Sequence, residues 1–362
     1  MSADGIHNRR SFLKRSSAIA SGVFVGGLAK LTVGSESSSQ TKKLSRLVRF
    51  GNTDLFVTRY CQGTAFREIP RNDNPQARQI LHRCLDVGIN FFDSAEAYGW
   101  GGSETVLGKA IAGRRDQVVI CTKAAPSEPP VRDVNTDKFQ LGKQVTFTRE
   151  TLFEKAEGSL KRLGTDYIDL FLLHSPDEAG TPPEEISDTM HALVKAGKIR
   201  YWGLSNFEAP DVEEYFELGK TRSDQLPAAG TEDYYNVAAR ERFEPHMPPV
   251  FRRTGLGLMA FSPQDTGRLA PGRPVKSKAM VPLIDALDEV ALELDATRPQ
   301  VCIAWTLAHP EVTTVLGGAE SPEHVEDNIG GTTLDLPADV LEKLNAASDT
   351  FLAYKRKRQR ES

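Results

Sequence analysis

From about residue 46 onward, short apolar runs alternate with segments of helical period. The runs RYCQGTAF, INFFDSA, QVVICTK, YIDLFLLH, IRYWGLS, LGLMAFS and VTTVLG, with a weaker one near QLPAAGTEDYYN, are mostly continuous rather than alternating in polarity. Continuous apolar runs are what parallel strands covered on both faces require. The intervening segments read as helices with legible ends. Asn74 caps one whose Pro75 suits the first turn, whose Ile80, Leu81, Cys84 and Leu85 form the inner stripe, and whose stop is Gly88. Leu152, Ala156, Leu160 and Leu163 recur at helical spacing in another. Thr181, Pro182 and Glu184 predict a capping box ahead of ISDTMHALVKAGK, and Ser103 predicts a cap after the glycines of GWGG.

Eight strands alternating with helices over residues 46–350 predict a (β/α)8 TIM barrel. The competing doubly wound sheet needs a glycine-rich fingerprint directly after its first strand and opening a helix. The nearest match, GLGLMA from Gly255, stands at the start of a strand instead. A chain of 362 residues, 39% hydrophobic and 26% charged, is long enough for such a barrel, and its net charge of −4 excludes the basic footprint of a nucleic-acid binder. Cys61, Cys84, Cys121 and Cys302 are widely spaced in apolar segments and read as buried, unpaired thiols. The basic residues 351–362 read as a solvated tail.

The N-terminus carries different information. Arg9 and Arg10, then Phe12-Leu13-Lys14 and a mild Gly- and Ala-rich stretch, resemble a twin-arginine export signal over residues 1–34. The polar residues 35–45 follow as a linker. The expectation is an exported, periplasmic protein that meets the twin-arginine export machinery and carries no stable membrane anchor, because no cysteine precedes Cys61. Removing residues 1–34 leaves 40 basic against 48 acidic residues, a net charge of −8.

In a barrel, active sites gather where the strands end at their C-terminal face. The second strand ends at Asp93 with Tyr98 just beyond, the third at Lys123, the fourth at His174, and the fifth at Ser205 and Asn206. Taken singly, each has a structural explanation: a loop cap, a snorkelling lysine, a satisfied core histidine. Together they form a device for moving a proton, because an ammonium favours phenolate over phenol. A metal-dependent hydrolase needs clustered His and Asp ligands, and the strand ends supply one histidine without a partner.

The segments GINFFDSAEAYGWGGSETVLGKAI, VVICTK, SLKRLGTDYIDLFLLHSPD and YWGLSNF, in this order, resemble the aldo-keto reductase superfamily over residues 44–350. The likeness is greatest to the branch of bacterial aldo-keto reductases and potassium-channel β-subunits. The resemblance implies hydride transfer between a nicotinamide cofactor and a carbonyl or alcohol carbon. Tyr98 is then the general acid and base, Lys123 and Asp93 lower its pKa, and His174 orients the substrate. It places Ser205, Asn206 and Glu232 at the carboxamide, Phe261 against the nicotinamide ring and Ser262 near the pyrophosphate. Gly63 and Thr64 line the cofactor, and Gly318, Ala319, Ser321, His324, Asp327 and Asn328 grip its adenosine end. Glu232 departs from the family's usual glutamine, since an ionised carboxylate cannot donate to the carboxamide oxygen. The implied cofactor is NADP, with NAD not excluded, because His324 is the one residue of the adenosine segment able to carry positive charge. A nucleotide-binding regulatory barrel with little turnover is the alternative that the channel-subunit likeness allows.

Overall fold

The computed structural model describes residues 47–66, 72–129, 142–177, 180–220, 226–275 and 277–361, together with the backbone of 131–132 and 139–140. The export signal and linker expected at 1–45 lie outside the described residues.

Eight parallel strands close into one barrel: β1 (Tyr60–Gly63), β2 (Phe91–Asp93), β3 (Val119–Ala124), β4 (Ile168–Leu173), β5 (Ile199–Ser205), β6 (Gly230–Tyr234), β7 (Gly257–Phe261) and β8 (Thr314–Gly317). Each pairs with the next in sequence, and β8 closes on β1 through Leu316 against Cys61. The expected (β/α)8 architecture is what forms.

Two apolar clusters explain why the strands read as continuous apolar runs. Cys61, Phe91, Cys121, Leu170, Leu172, Met259 and Leu316 point inward and fill the barrel. Tyr60, Phe92, Ile120, Phe171, Leu173, Leu258 and Val315 point outward, into the shell of helices. Side chains alternate along a strand. The inward set Phe91, Cys121 and Leu172 therefore continues, two residues on, to Asp93, Lys123 and His174 at the open end. At the other end an antiparallel hairpin (Leu47–Arg49 with Phe56–Thr58) covers the barrel. Its fully buried Phe50 fits there because Gly230 and Gly257 carry no side chain: a Cβ at either would stand within 2.8 Å of the Phe50 ring.

Ten α-helices are described, beginning with α1 (Pro75–Asp86), α2 (Gly102–Ala110), α3 (Arg149–Leu163), α4 (Pro183–Lys195), α5 (Ala209–Lys220) and α6 (Met247–Thr254). The rest are α7 (Val281–Glu293), α8 (Arg298–Ala308), α9 (Pro322–Gly330) and α10 (Ala338–Glu361). The α1 cap is as expected, with Asn74 Oδ1 accepting from the Ala77 amide at 2.8 Å. Two expected caps are not formed. Thr181 gives its hydroxyl to Asp177, so α4 starts at Pro183 without a side-chain cap. Ser103 lies inside α2, whose cap is Gly101 in the left-handed region, and donates its hydroxyl to the Thr64 carbonyl at 2.7 Å. Residues 351–361 are no separate tail either. They prolong α10, which buries Phe351 and Leu352 before its basic turns reach solvent. The four cysteines are buried and unpaired, as expected. Among the described residues, no helix is long and apolar enough to cross a membrane.

Candidate active site

The open end of the barrel is organised around Lys123. Its side chain is fully buried, and its ammonium donates to Asp93 Oδ1 at 2.5 Å, to the Ser94 carbonyl at 2.9 Å and to the Tyr98 hydroxyl at 3.2 Å. Tyr98 sits in a turn whose backbone reverses at Gly99, Trp100 and Gly101, all with positive φ. Glycine adopts that region freely, and Trp100 is carried along between two of them. Glu96 anchors the same turn to α3 by accepting from Lys155 Nζ at 2.9 Å. The tyrosine is thus held by fixed backbone on both sides.

His174 follows β4 directly, with its ring edge-on to Tyr98 at 5.6 Å between centroids. Asn206, after β5, also has positive φ, and its amide donates to the His174 carbonyl and the Ser205 hydroxyl, each at 3.0 Å. Glu232 of β6 reaches across to place Oε2 3.2 Å from Lys123 Nζ. Asp93, Cys121 and Glu232 are close enough together to hold a metal ion, but the Lys123 ammonium already stands between the two carboxyls.

These contacts set the protonation states. Burial alone would lower the pKa of Lys123, but Asp93, Glu232 and Tyr98 hold it well above the ordinary value, so it is an ammonium. Burial, followed by the nearby Lys123 charge, brings His174 down to about 3 and keeps the imidazole neutral. For Tyr98 the sequence-based expectation is corrected. Burial raises the phenol's pKa, Lys123 opposes, and Asp93 and Glu232 raise it further, with a net upward shift. Asp93 therefore does not help to lower it. The proton stays on the oxygen, which suits a donor.

A cavity of about 300 Å³ opens over these groups, lined among others by Gly63, Tyr98, His174, Asn206, Glu232 and Phe261. It continues, through Ser262, Thr266, Gly317, Gly318 and Glu320, into a second one of about 350 Å³ that reaches His324, Asp327 and Asn328. Asp93 also lines the first. Lys123 lies behind Tyr98. The larger space of about 830 Å³ between the loop after β7 and α10 shares Thr266 and Arg273 with the second cavity, but Asp93, Tyr98, His174 and Glu232 do not line it.

Several expected cofactor residues have contacts within the scaffold. Ala319 packs into the outer core, Ser321 caps α9 by accepting from the His324 amide at 3.3 Å, and Thr64 donates to Ser94 Oγ at 2.9 Å. None of these three, nor the buried Ser205, lines either cavity. Asn328 lines one and also staples the fold, donating to the Tyr60 hydroxyl at 2.9 Å and the Gly318 carbonyl at 3.2 Å. Asp327 accepts from Thr297 Oγ1 at 2.7 Å and Gln300 at 2.9 Å. Gln264, Thr266, Gly317 and Glu320 were not expected at the site, and Arg273 stood only as an alternative to His324 for the phosphate. The strand-end rule points to Gly317. Arg273 comes from the loop after β7, so His324 is not the one candidate cation at the second cavity.

The chain is similar to known proteins over the same region. The putative voltage-gated potassium channel subunit beta of Schizosaccharomyces pombe is 29% identical over 304 residues, 75% of this chain and 84% of that one. The uncharacterized oxidoreductase YrpG of Bacillus subtilis is 32% identical over 317 residues, 82% of this chain and 93% of that one. A crystal structure of the thermostable aldo-keto reductase Tm1743 with the inhibitor epalrestat superimposes with a TM-score of 0.68 at 27% identity, covering 84% of this chain and all of that one. The model of the Aldo/keto reductase family matches residues 61–349, nearly the whole barrel, and the chain belongs to that family.

Proposed function

We propose that this protein reduces carbonyl compounds, or oxidises the corresponding alcohols, with NADP(H), and that Tyr98 gives or takes the proton. The observation that carries the proposal is the Tyr98 hydroxyl, which accepts from Lys123 at 3.2 Å and so keeps its own hydrogen for donation into the cavity. When bound, the nicotinamide cofactor supplies or accepts the hydride. The residues present fit it: the two cavities share Ser262, Thr266, Gly317, Gly318 and Glu320 and so lead from Tyr98 to His324. Asn206, with its amide nitrogen already engaged, offers an oxygen to the carboxamide, and Phe261 offers a ring face. Ser262, Gly317 and Gly318 line the junction where the phosphates would pass, and Asp327 and Asn328 lie at the far end.

The neutral His174 is the second hydrogen-bonding group for the substrate oxygen, which it orients towards Tyr98 without adding charge. Lys123 stabilises whatever negative charge develops on the phenol oxygen, and Asp93 holds the ammonium in place. Wall residues Phe66, Phe261 and Leu316 give the pocket an apolar side.

A panel of aldehydes, ketosugars and sugar alcohols with each cofactor tests this. Turnover of any of them, followed by nicotinamide absorbance, supports the enzyme. Tight cofactor binding with no turnover supports instead a regulatory barrel, the reading favoured by the similarity to proteins named as channel β-subunits. NADP over NAD is proposed because Arg273 joins His324 at the second cavity. Arg273→Met is expected to weaken NADP binding about 10–100-fold, the range for losing a charge-assisted hydrogen bond, and NAD binding far less. Equal losses for both cofactors, by fluorescence titration, would place the 2′-phosphate elsewhere.

Export through the twin-arginine route to the periplasm belongs to the same proposal, on the strength of Arg9, Arg10 and Phe12-Leu13-Lys14. With both arginines changed to lysine, the protein should remain folded in the cytoplasm, as read by fractionation. A double variant still found outside the inner membrane removes this part.

A further inference from the structure

The site holds one acid more than its cation can satisfy. Glu232 pairs with Ser205 of β5 and Met259 of β7, and its side chain, 4% exposed, turns into the cavity. The titratable groups around it are Asp93 of β2, Lys123 and Cys121 of β3, Cys61 of β1, Tyr98 after β2 and His174 after β4. Of these, Lys123 alone is positive: burial keeps both thiols and the phenol protonated and the imidazole neutral. An ammonium has three hydrogens. Those of Lys123 go to Asp93, Ser94 and Tyr98. Glu232 Oε2 lies 3.2 Å from Nζ yet completes no hydrogen bond with it. An ionised carboxylate in that position would be a buried charge with an orphaned oxygen, which is strongly unfavourable.

We propose that Glu232 is a positioning residue held as a neutral carboxylic acid in the working enzyme, and that loss of its proton impairs proton donation by Tyr98. This rests on the reductase reading above. As a neutral acid Glu232 can both donate and accept, which restores the two-way hydrogen bonding of the glutamine it replaces. Burial, then the neighbouring Asp93, pushes its carboxyl up to about 8, with Lys123 opposing. Above that pH a second negative charge stands beside Lys123. It raises the Tyr98 pKa further, and the phenol releases its proton less readily.

Two measurements test the assignment. Infrared difference spectra of the cofactor-free protein, recorded from about pH 6 to about pH 10, should show a protonated-carboxyl C=O band that disappears through about 8 and is missing in Glu232→Gln. In turnover, reduction by the wild type should fall about tenfold per pH unit on the alkaline side, while the Glu232→Gln profile stays flat to within about twofold there. Absence of the band at neutral pH, or its loss in the ordinary carboxylate range, overturns the proposal. So does an unchanged alkaline limb in Glu232→Gln. If the variant does not fold, the infrared titration of the wild type decides alone. Because that titration needs no activity, a failure of the reductase reading leaves its outcome interpretable.

Discussion

For the proposed reductase, Tyr98→Phe is expected to lower carbonyl reduction by roughly 10²–10⁴-fold, the range for removal of a general acid, while cofactor binding persists. The ring stays and only the hydroxyl goes, so the edge-on contact with His174 is kept. The expected loss is in kcat rather than in cofactor affinity, because in the proposed reaction the hydroxyl meets the substrate oxygen, while the scaffold holds the turn through Glu96 and Lys155. The upward shift of the phenol makes the direction specific. A tyrosine that keeps its proton across the neutral range is ready to donate at once, whereas alcohol oxidation needs a phenolate and should quicken as pH rises. Steady-state kinetics in both directions, for parent and variant, check this. Near-normal reduction by the variant would remove Tyr98 from the chemistry.

Lys123→Met removes the cation shared by two buried carboxyls. Asp93 and Glu232 then face each other in the barrel interior with no counter-charge. Breaking a buried pair by deleting one partner costs about 3–5 kcal/mol at neutral pH, and urea denaturation measures it. The pH dependence carries the sign. Beside the ammonium both carboxyls already lie above their unfolded values of about 4, and without it they rise further. The variant therefore keeps its full stability only below that range and loses it as pH rises through the folded values. The gap between parent and variant should be small at about pH 4 and widen towards about pH 8. A gap that is equal at both ends would mean that Lys123 acts by packing rather than by charge.

Much of the site was legible because strands obey a period of two. Once a run such as INFFD or VVICTK is assigned to a barrel strand, its last inward residue faces the open end, and Asp93, Lys123 and His174 follow. The α1 cap was readable for the same local reason, since Asn74 and Pro75 act within one turn. The caps at Thr181 and Ser103 failed because each hydroxyl had a non-helical acceptor nearby: Asp177 for the first, the Thr64 carbonyl on a neighbouring loop for the second. Sequence spacing does not register such competitors.

The order and type of elements, the closed parallel barrel and the residues at its strand ends were determined by the sequence itself, since apolar periodicity and turn residues act over a few positions. The tertiary structure alone decided the electrostatics. Strand β6 closes opposite β2 and β3, and this brings Glu232 against a lysine more than a hundred residues away in the chain. Burial then outweighs the ammonium at Tyr98, reversing the shift that residue types suggest. It likewise extended the last helix through Phe351 and Leu352. Desolvation and long-range pairing depend on what surrounds a group on every side, and a linear chain specifies its neighbours on only two.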